Sequence, residues 1–190
     1  MPRIRTFIGI DVGDDIRDRL VSLQKNLALV EPEVKWVEPE NLHLTLFFLG
    51  EVDQRESIDI CRAAQKAIQE MPAFVMSVEA TGCFPNIRRP RTLWVGVGKG
   101  ADEVCAVHDA IEKPLLELGN YRRETRAYTP HITLGRVKSD RTGDELAKAL
   151  QKHQTWSAGE ATVSQVCVMS SVLKTDGPTY AVLGRAKLKA

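Results

Sequence analysis

The sequence predicts an α+β fold made of two similar lobes, and three observations carry that expectation. The tetrapeptide His43-Leu44-Thr45-Leu46 returns as His131-Ile132-Thr133-Leu134, 88 positions later (131 minus 43). Each copy sits in an alternating run that reads as a β-strand, and each run is followed by apolar residues at helical spacing. The 190 residues suffice for one sizeable core and are short for two independent ones. Residues 1–190 are therefore expected to form one bilobal, pseudo-symmetric domain whose motif strands face each other. No repeat beyond the motif, and no linker or low-complexity tract, divides the chain further.

Taken in order, residues 5–12 are β-rich and close at Gly13 and Asp14. From Asp15 onward Ile16, Leu20, Leu23 and Leu27 recur at helical spacing, which predicts an amphipathic helix ending before a turn at Pro32. Residues 34–37 read as a short strand and Pro39-Glu40-Asn41 as a turn. The first motif strand is expected over 42–49, stopped by Gly50. Ile58, Cys61, Ala64 and Ile68 mark a second helix, ended before Pro72. Strands are expected over 74–83 and 92–97, separated by a basic, proline-containing loop at 85–91. Val104, Val107, Ile111, Leu115 and Leu118 give a third helix, with a kink at Pro114 and a stop at Gly119. The second motif strand is expected over 128–137, a short helix over 144–152, and two β-rich stretches over 161–170 and 180–188. A turn between Lys174 and Pro178 separates those last two.

Composition narrows the function classes. Hydrophobic residues at 43% and charged ones at 27% are ordinary globular values and exclude a disordered or fibrous chain. A net charge of +1 makes no global demand for nucleic acid. Charge is uneven locally: Arg88, Arg89 and Arg91 cluster, and Arg122, Arg123, Arg126, Arg136 and Lys138 flank the second motif with only Glu124 among them. Such a patch suits phosphates. Cys61, Cys83, Cys105 and Cys167 are scattered without a Cys-x-x-Cys pair, so zinc spacing and a disulfide framework are both absent and reduced thiols are expected. No signal peptide and no run of about 20 apolar residues is present, which leaves a cytoplasmic protein without a membrane partner as the expectation, and a monomer. Gly96-Val97-Gly98-Lys99-Gly100-Ala101 imitates a dinucleotide-binding turn, but no second acidic strand follows it.

The motifs carry the chemistry. Strand alternation puts His43 and Thr45 on one face and Leu44, Leu46 and Phe48 on the other; it likewise pairs His131 with Thr133 and turns Ile132 and Leu134 away. Two imidazoles with reference pKa about 6.5 can serve as general acid and general base across one reacting centre. Two hydroxyls beside them can donate to anionic oxygens, which points to a phosphate. A metal site would want Asp, Glu, Cys or a third His where the motif offers Thr, so no metal is expected. Strict alternation puts Arg136 on the face opposite His131, and it reaches a phosphate only if the strand bends after Gly135. Tyr128, Trp94, Phe47 and Trp36 are candidates for stacking a terminal base, with core packing the plainer role for each. His108 and His153 fall on predicted helices, where structural roles are expected.

The two His-x-Thr-Leu motifs are joined by recognisable flanks. These are Trp36-Val37 and Glu40-Asn41-Leu42 before His43, Phe48-Leu49-Gly50-Glu51-Val52 after it, Leu93-Trp94-Val95-Gly96-Val97, and Tyr128-Thr129-Pro130 before His131. Together they resemble the 2H phosphoesterase superfamily, and within it the bacterial and archaeal RNA 2′,3′-cyclic phosphodiesterases, historically called 2′-5′ RNA ligases. The resemblance implies two antiparallel sheets lining a central cleft with helices packed outside. It also implies metal-independent and cofactor-free hydrolysis of a terminal 2′,3′-cyclic phosphate on RNA to a 2′-phosphate, and in some members the joining of tRNA halves. Carried over by position, His43 would give a proton to the departing 3′ oxygen, His131 would take one from water, and Thr45 and Thr133 would hold non-bridging oxygens, with Arg136 resembling an arginine found there in relatives. Nothing in the sequence distinguishes the two imidazoles. The competing class is a module that binds an RNA end or nucleotide without turnover; four intact motif residues favour the enzyme.

Overall fold

The structure, a computed structural model, describes residues 3–31, 33–119, 121–123, 126–138, 144–174 and 177–190. The expected turn at Pro32, the middle of the turn between Lys174 and Pro178, and Glu124 in the basic stretch lie outside the described residues. The chain runs β1 (Arg3–Asp11), α1 (Asp14–Ala28), β2 (Val34–Trp36), a 3-10 turn (Pro39–Asn41), β3 (His43–Asp53), α2 (Gln54–Ile68), β4 (Phe74–Phe84), β5 (Thr92–Val97), α3 (Ala101–Leu118), β6 (His131–Val137), α4 (Asp144–Lys152), β7 (Ser157–Val163), β8 (Gln165–Lys174) and β9 (Gly177–Lys187).

The strands form two antiparallel groups, β3-β1-β8-β9 and β7-β4-β5-β6, with β2 added beside β6. The groups meet at one residue pair, Leu44 with Ile132, so the two expected sheets are continuous through the centres of the two motifs. The helices cover the sheet. Buried Leu20, Leu23 and Leu27 come from α1; Ile60, Ala64 and Ile68 from α2; Val107, Ile111 and Leu115 from α3; Leu146 and Leu150 from α4. These join Ile8, Ile10, Leu44, Leu93, Val95 and Ile132 in one hydrophobic cluster that spans both groups. Although α1 follows β1, its Gln24 amide donates to the carbonyls of Val37 and Leu134 at 2.8 and 2.9 Å. The first helix is thereby tied to the second motif strand. Among the described residues no helix is long and apolar enough to cross a membrane.

Several expected boundaries are corrected, each by a tertiary cause. Gly50 does not stop β3: its φ of +70° accommodates a bulge, where Thr6 pairs with Gly50 and Phe7 with Phe48, skipping Leu49. The strand continues to Asp53, which caps α2 by accepting from the Arg55 amide, while the Glu56 carboxylate accepts from the Asp53 amide at 2.6 Å. On α2 the buried stripe is Ser57, Ile60, Ala64 and Ile68, whereas Ile58 is exposed and Cys61 is half-buried. Helix α2 packs against both β9 and α3, and that contact, rather than the spacing alone, selects the face. Leu118 is exposed at the last residue of α3. Pro114 lies inside α3, and Gly119 caps it in the left-handed region at φ +74°. The stretch expected as one strand over 161–170 is two: β7 pairs with β4 up to Val163, and β8, starting at Gln165, pairs with β1. Nothing local marks that change of partner. The second motif strand begins at His131, not at Tyr128.

Candidate active site

Antiparallel pairing of Leu44 with Ile132 means that its neighbours cross over: continuing the register sets His43 opposite Thr133 and Thr45 opposite His131. Alternation then aims all four side chains to the face away from Leu44 and Ile132, which are fully buried. The sequence placed these four on two shared faces, and the fold brings the two faces together.

Each histidine is held the same way. The Nδ1–H of His43 donates to the Asn41 carbonyl at 2.7 Å, and that of His131 to the Thr129 carbonyl, also at 2.7 Å. A carbonyl can only accept, so the proton on Nδ1 is fixed and Nε2 is left as the atom that exchanges protons. Nε2 of His43 lies 2.8 Å from the Thr45 hydroxyl. Burial pushes both imidazoles below their ordinary value. For His43 the Asn41 carbonyl and then the Asp11 carboxylate offset part of that shift, and for His131 the Thr129 carbonyl does.

Beyond the histidines both strands bulge at the same place. In β3 the ladder with β1 steps from Gly9–Thr45 to Ile8–Phe47, skipping Leu46; in β6 the ladder with β5 steps from Trp94–Thr133 to Leu93–Gly135, skipping Leu134. Each bulge shifts the alternation by one residue. Arg136 therefore lies on the face of His131 and Thr133 and borders the cleft, through a bulge at Leu134 rather than a bend after Gly135. Phe48, expected on the apolar face, is turned out instead: it is 65% exposed and lines the cleft. Its signal was the unbroken run Leu46-Phe47-Phe48-Leu49, which strict alternation cannot bury on one side.

Thr45, Thr133, Phe48 and Arg136 form the waist of a cleft with two compartments. The one beside His43, about 530 Å³, is bounded by Phe7, Trp36, Asn41, Tyr180, Arg5 and Lys35. The one beside His131, about 860 Å³, is bounded by Phe84, His108, Tyr121, Tyr128, Arg123 and Arg126. Aromatic rings pack on both imidazoles. Phe7 lies 4.7 Å from His43 and Tyr180 meets it edge-on at 5.4 Å; Phe84 meets His131 edge-on at 5.0 Å and Trp94 lies at 6.0 Å. Burial raises the Tyr180 phenol, and the Arg5 and Arg136 guanidiniums pull it partly back, so positive charge gathers at this end of the cleft.

The remaining candidates separate cleanly. Trp36 borders the His43 compartment, but Phe47 is core, buried and stacked on His108. Arg88, Arg89 and Arg91 are exposed and border neither compartment, while Arg123 and Arg126 border the second. Arg123 pairs with Glu112 at 2.7 Å. His153 closes onto the Ala149 carbonyl of its own helix. Phe7, Tyr180 and Phe84 were not singled out from the sequence; only strand pairing brings them beside the motifs. Among the described residues no three His, Cys, Asp or Glu side chains gather as a metal-ligand group.

The family profile described as LigT like Phosphoesterase matches residues 10–94. A protein of Archaeoglobus fulgidus named RNA 2′,3′-cyclic phosphodiesterase is 37% identical, over 93% of this chain and 96% of its own. Proteins of the same name from Methanothermobacter thermautotrophicus and Aquifex aeolicus are 33% and 31% identical, covering 94% and 96% of this chain and 95% and 96% of theirs. Among solved structures, TT0787 of Thermus thermophilus superposes with a TM-score of 0.81 at 26% identity, covering 98% of this chain and 99% of its own. E. coli LigT complexed with 3′-AMP superposes with a TM-score of 0.80 at 23% identity over the full length of both chains, a likeness of fold.

Proposed function

The chain belongs to the LigT-like phosphoesterase family, and from that premise we propose that it is a metal-independent RNA 2′,3′-cyclic phosphodiesterase working by general acid and general base catalysis from His43 and His131. The observation that carries this reading is the matched pair of Nδ1–H bonds to the Asn41 and Thr129 carbonyls. They leave an Nε2 at each motif to hold or accept a proton on opposite sides of the waist. Water attacks phosphorus as its proton passes to Nε2 of His131. The bond from phosphorus to O3′ breaks as Nε2–H of His43 protonates that oxygen, leaving a 3′-hydroxyl and a 2′-phosphate. Thr45, Thr133 and Arg136 hold the non-bridging oxygens as negative charge builds. Burial lowers His43, and Asp11 offsets part of that shift; this carboxylate beside His43 supports giving it the acid role. A 5′-hydroxyl of a second RNA in place of water gives a 2′-5′ linkage by the same steps, and the 860 Å³ compartment beside His131 has room for more than water.

The test is hydrolysis of a short RNA ending in a 2′,3′-cyclic phosphate, in excess EDTA, with His43→Ala and His131→Ala in parallel. The expected result is EDTA-insensitive formation of the 2′-phosphate, slowed by a factor on the order of 10² to 10⁴ in each variant. Binding of that RNA without turnover overturns the enzyme reading in favour of a binding module; loss of turnover on EDTA treatment overturns metal independence.

A further inference from the structure

We propose that Tyr128 is a positioning residue that fixes Thr45 against the second motif through its hydroxyl, with His108 as the backing that holds its ring. The consequence for catalysis rests on the function proposed above; the geometry does not. The Tyr128 hydroxyl donates to the Thr45 carbonyl at 2.8 Å, joining the segment that leads into His131 to the strand that carries His43. At that point the sheet is thinly paired on one side and irregular on the other. Strands β3 and β6 share one ladder pair, Leu44 with Ile132, and the β1–β3 ladder breaks register just after Thr45. The Tyr128 bond is an added link at this seam. Its ring lies flat on His108, 4.1 Å away and 9° from parallel, and His108 lies flat on Phe47, at 4.3 Å and 12°. Thr45 and Phe47 belong to one strand, so the contacts close a loop from β3 through α3 and back to β3. Burial pushes the Tyr128 phenol far above its ordinary range, so the hydroxyl stays a donor wherever the histidines titrate. Because the Thr45 hydroxyl bonds Nε2 of His43, a displaced Thr45 misplaces both a phosphate ligand and the proposed acid.

Tyr128→Phe keeps the ring and its stack and removes only the donor. On RNA ending in a 2′,3′-cyclic phosphate, kcat is expected to fall by about 10- to 100-fold with a much smaller change in KM. In a Thr45→Ala background the same change is expected to cost almost nothing further, since groups acting as one unit are non-additive. His108→Ala is expected to reproduce the loss, and His108→Phe, which restores a flat ring between the two aromatic faces, to recover it. NMR titration of the histidines gives a readout independent of turnover: Tyr128→Phe is expected to move His43, which also faces Asp11 from β1 and Tyr180 from β9. Additive losses with Thr45→Ala, or an unmoved His43 titration, overturn the proposal. Absence of turnover in the unmodified protein overturns the functional reading instead, and the titration still decides the role of Tyr128.

Discussion

Across from His43 the neighbouring strand β1 places Asp11; across from His131 the neighbouring strand β5 places Gly96. The two motif strands are otherwise close copies. Each holds its histidine by a carbonyl two residues upstream, each bulges three residues after the histidine, and each turns the fifth residue after it into the cleft. That fifth residue is Phe48 in one strand and Arg136 in the other. The two His-x-Thr-Leu patterns thus present the same reactive atoms in different surroundings: a carboxylate on the neighbouring strand β1 that favours charge beside His43, and a guanidinium on β6 itself, five residues after His131.

The largest effect expected from this asymmetry comes from changing the leaving group. With a phosphodiester whose departing oxygen is a nitrophenolate, little protonation is needed. The loss caused by His43→Ala is expected to shrink below about tenfold, while that of His131→Ala stays on the order of 10² to 10⁴. Steady-state kcat/KM on both substrates checks this, and the opposite pattern exchanges the two roles.

The two fifth-position residues offer the next contrast. Arg136→Met removes the guanidinium proposed to hold the phosphate, and charge-assisted hydrogen bonds of that kind are worth about 1.5 to 3 kcal/mol, so kcat/KM on the cyclic phosphate is expected to fall by about 10- to 100-fold. Phe48→Ala removes an exposed ring of the waist; an aromatic ring that stacks a base is worth about 1 to 3 kcal/mol, and the loss is expected in KM rather than kcat. If both variants change only KM, the waist binds substrate without discriminating the transition state.

How far this contrast could be read from the sequence follows the range of the signal. Ile16, Leu20, Leu23 and Leu27 are spaced for one helix face, and all four are buried on α1. His43 with Thr45, and His131 with Thr133, share faces because alternation over three residues is local. Phe48 and Arg136 lie beyond Leu46 and Leu134, where the pairing partner skips a residue, and that skip is a property of two strands together. The break at Ser164 is hidden for a related reason. Residues on both sides favour extended structure, and the change appears only in which strand each side joins: β4 before it, β1 after it. Asp11 and Gly96 were visible as residues, but their positions opposite the histidines depend on the same inter-strand register.

The smallest and sharpest effect concerns Asp11. Asp11→Asn keeps the shape and an acceptor for Arg17, its partner at 2.5 Å, and removes the negative charge that favours protonated His43. Under the proposed mechanism His43, as the acid, must carry its proton, so its titration forms the alkaline limb of the kcat/KM profile; His131 must be neutral, so its titration forms the acid limb. Burial lowers both groups, so the optimum of the unmodified protein is expected on the acid side of the ordinary imidazole value of about 6.5. Removing the Asp11 charge lowers His43 further. The alkaline limb is expected to move to lower pH while the acid limb stays fixed, and the rate near neutrality to drop by a factor of about two to three, the scale of a screened, partly exposed charge. If the acid limb moves instead, Asp11 acts on the base, and the difference between β1 and β5 assigns the two histidines the other way round.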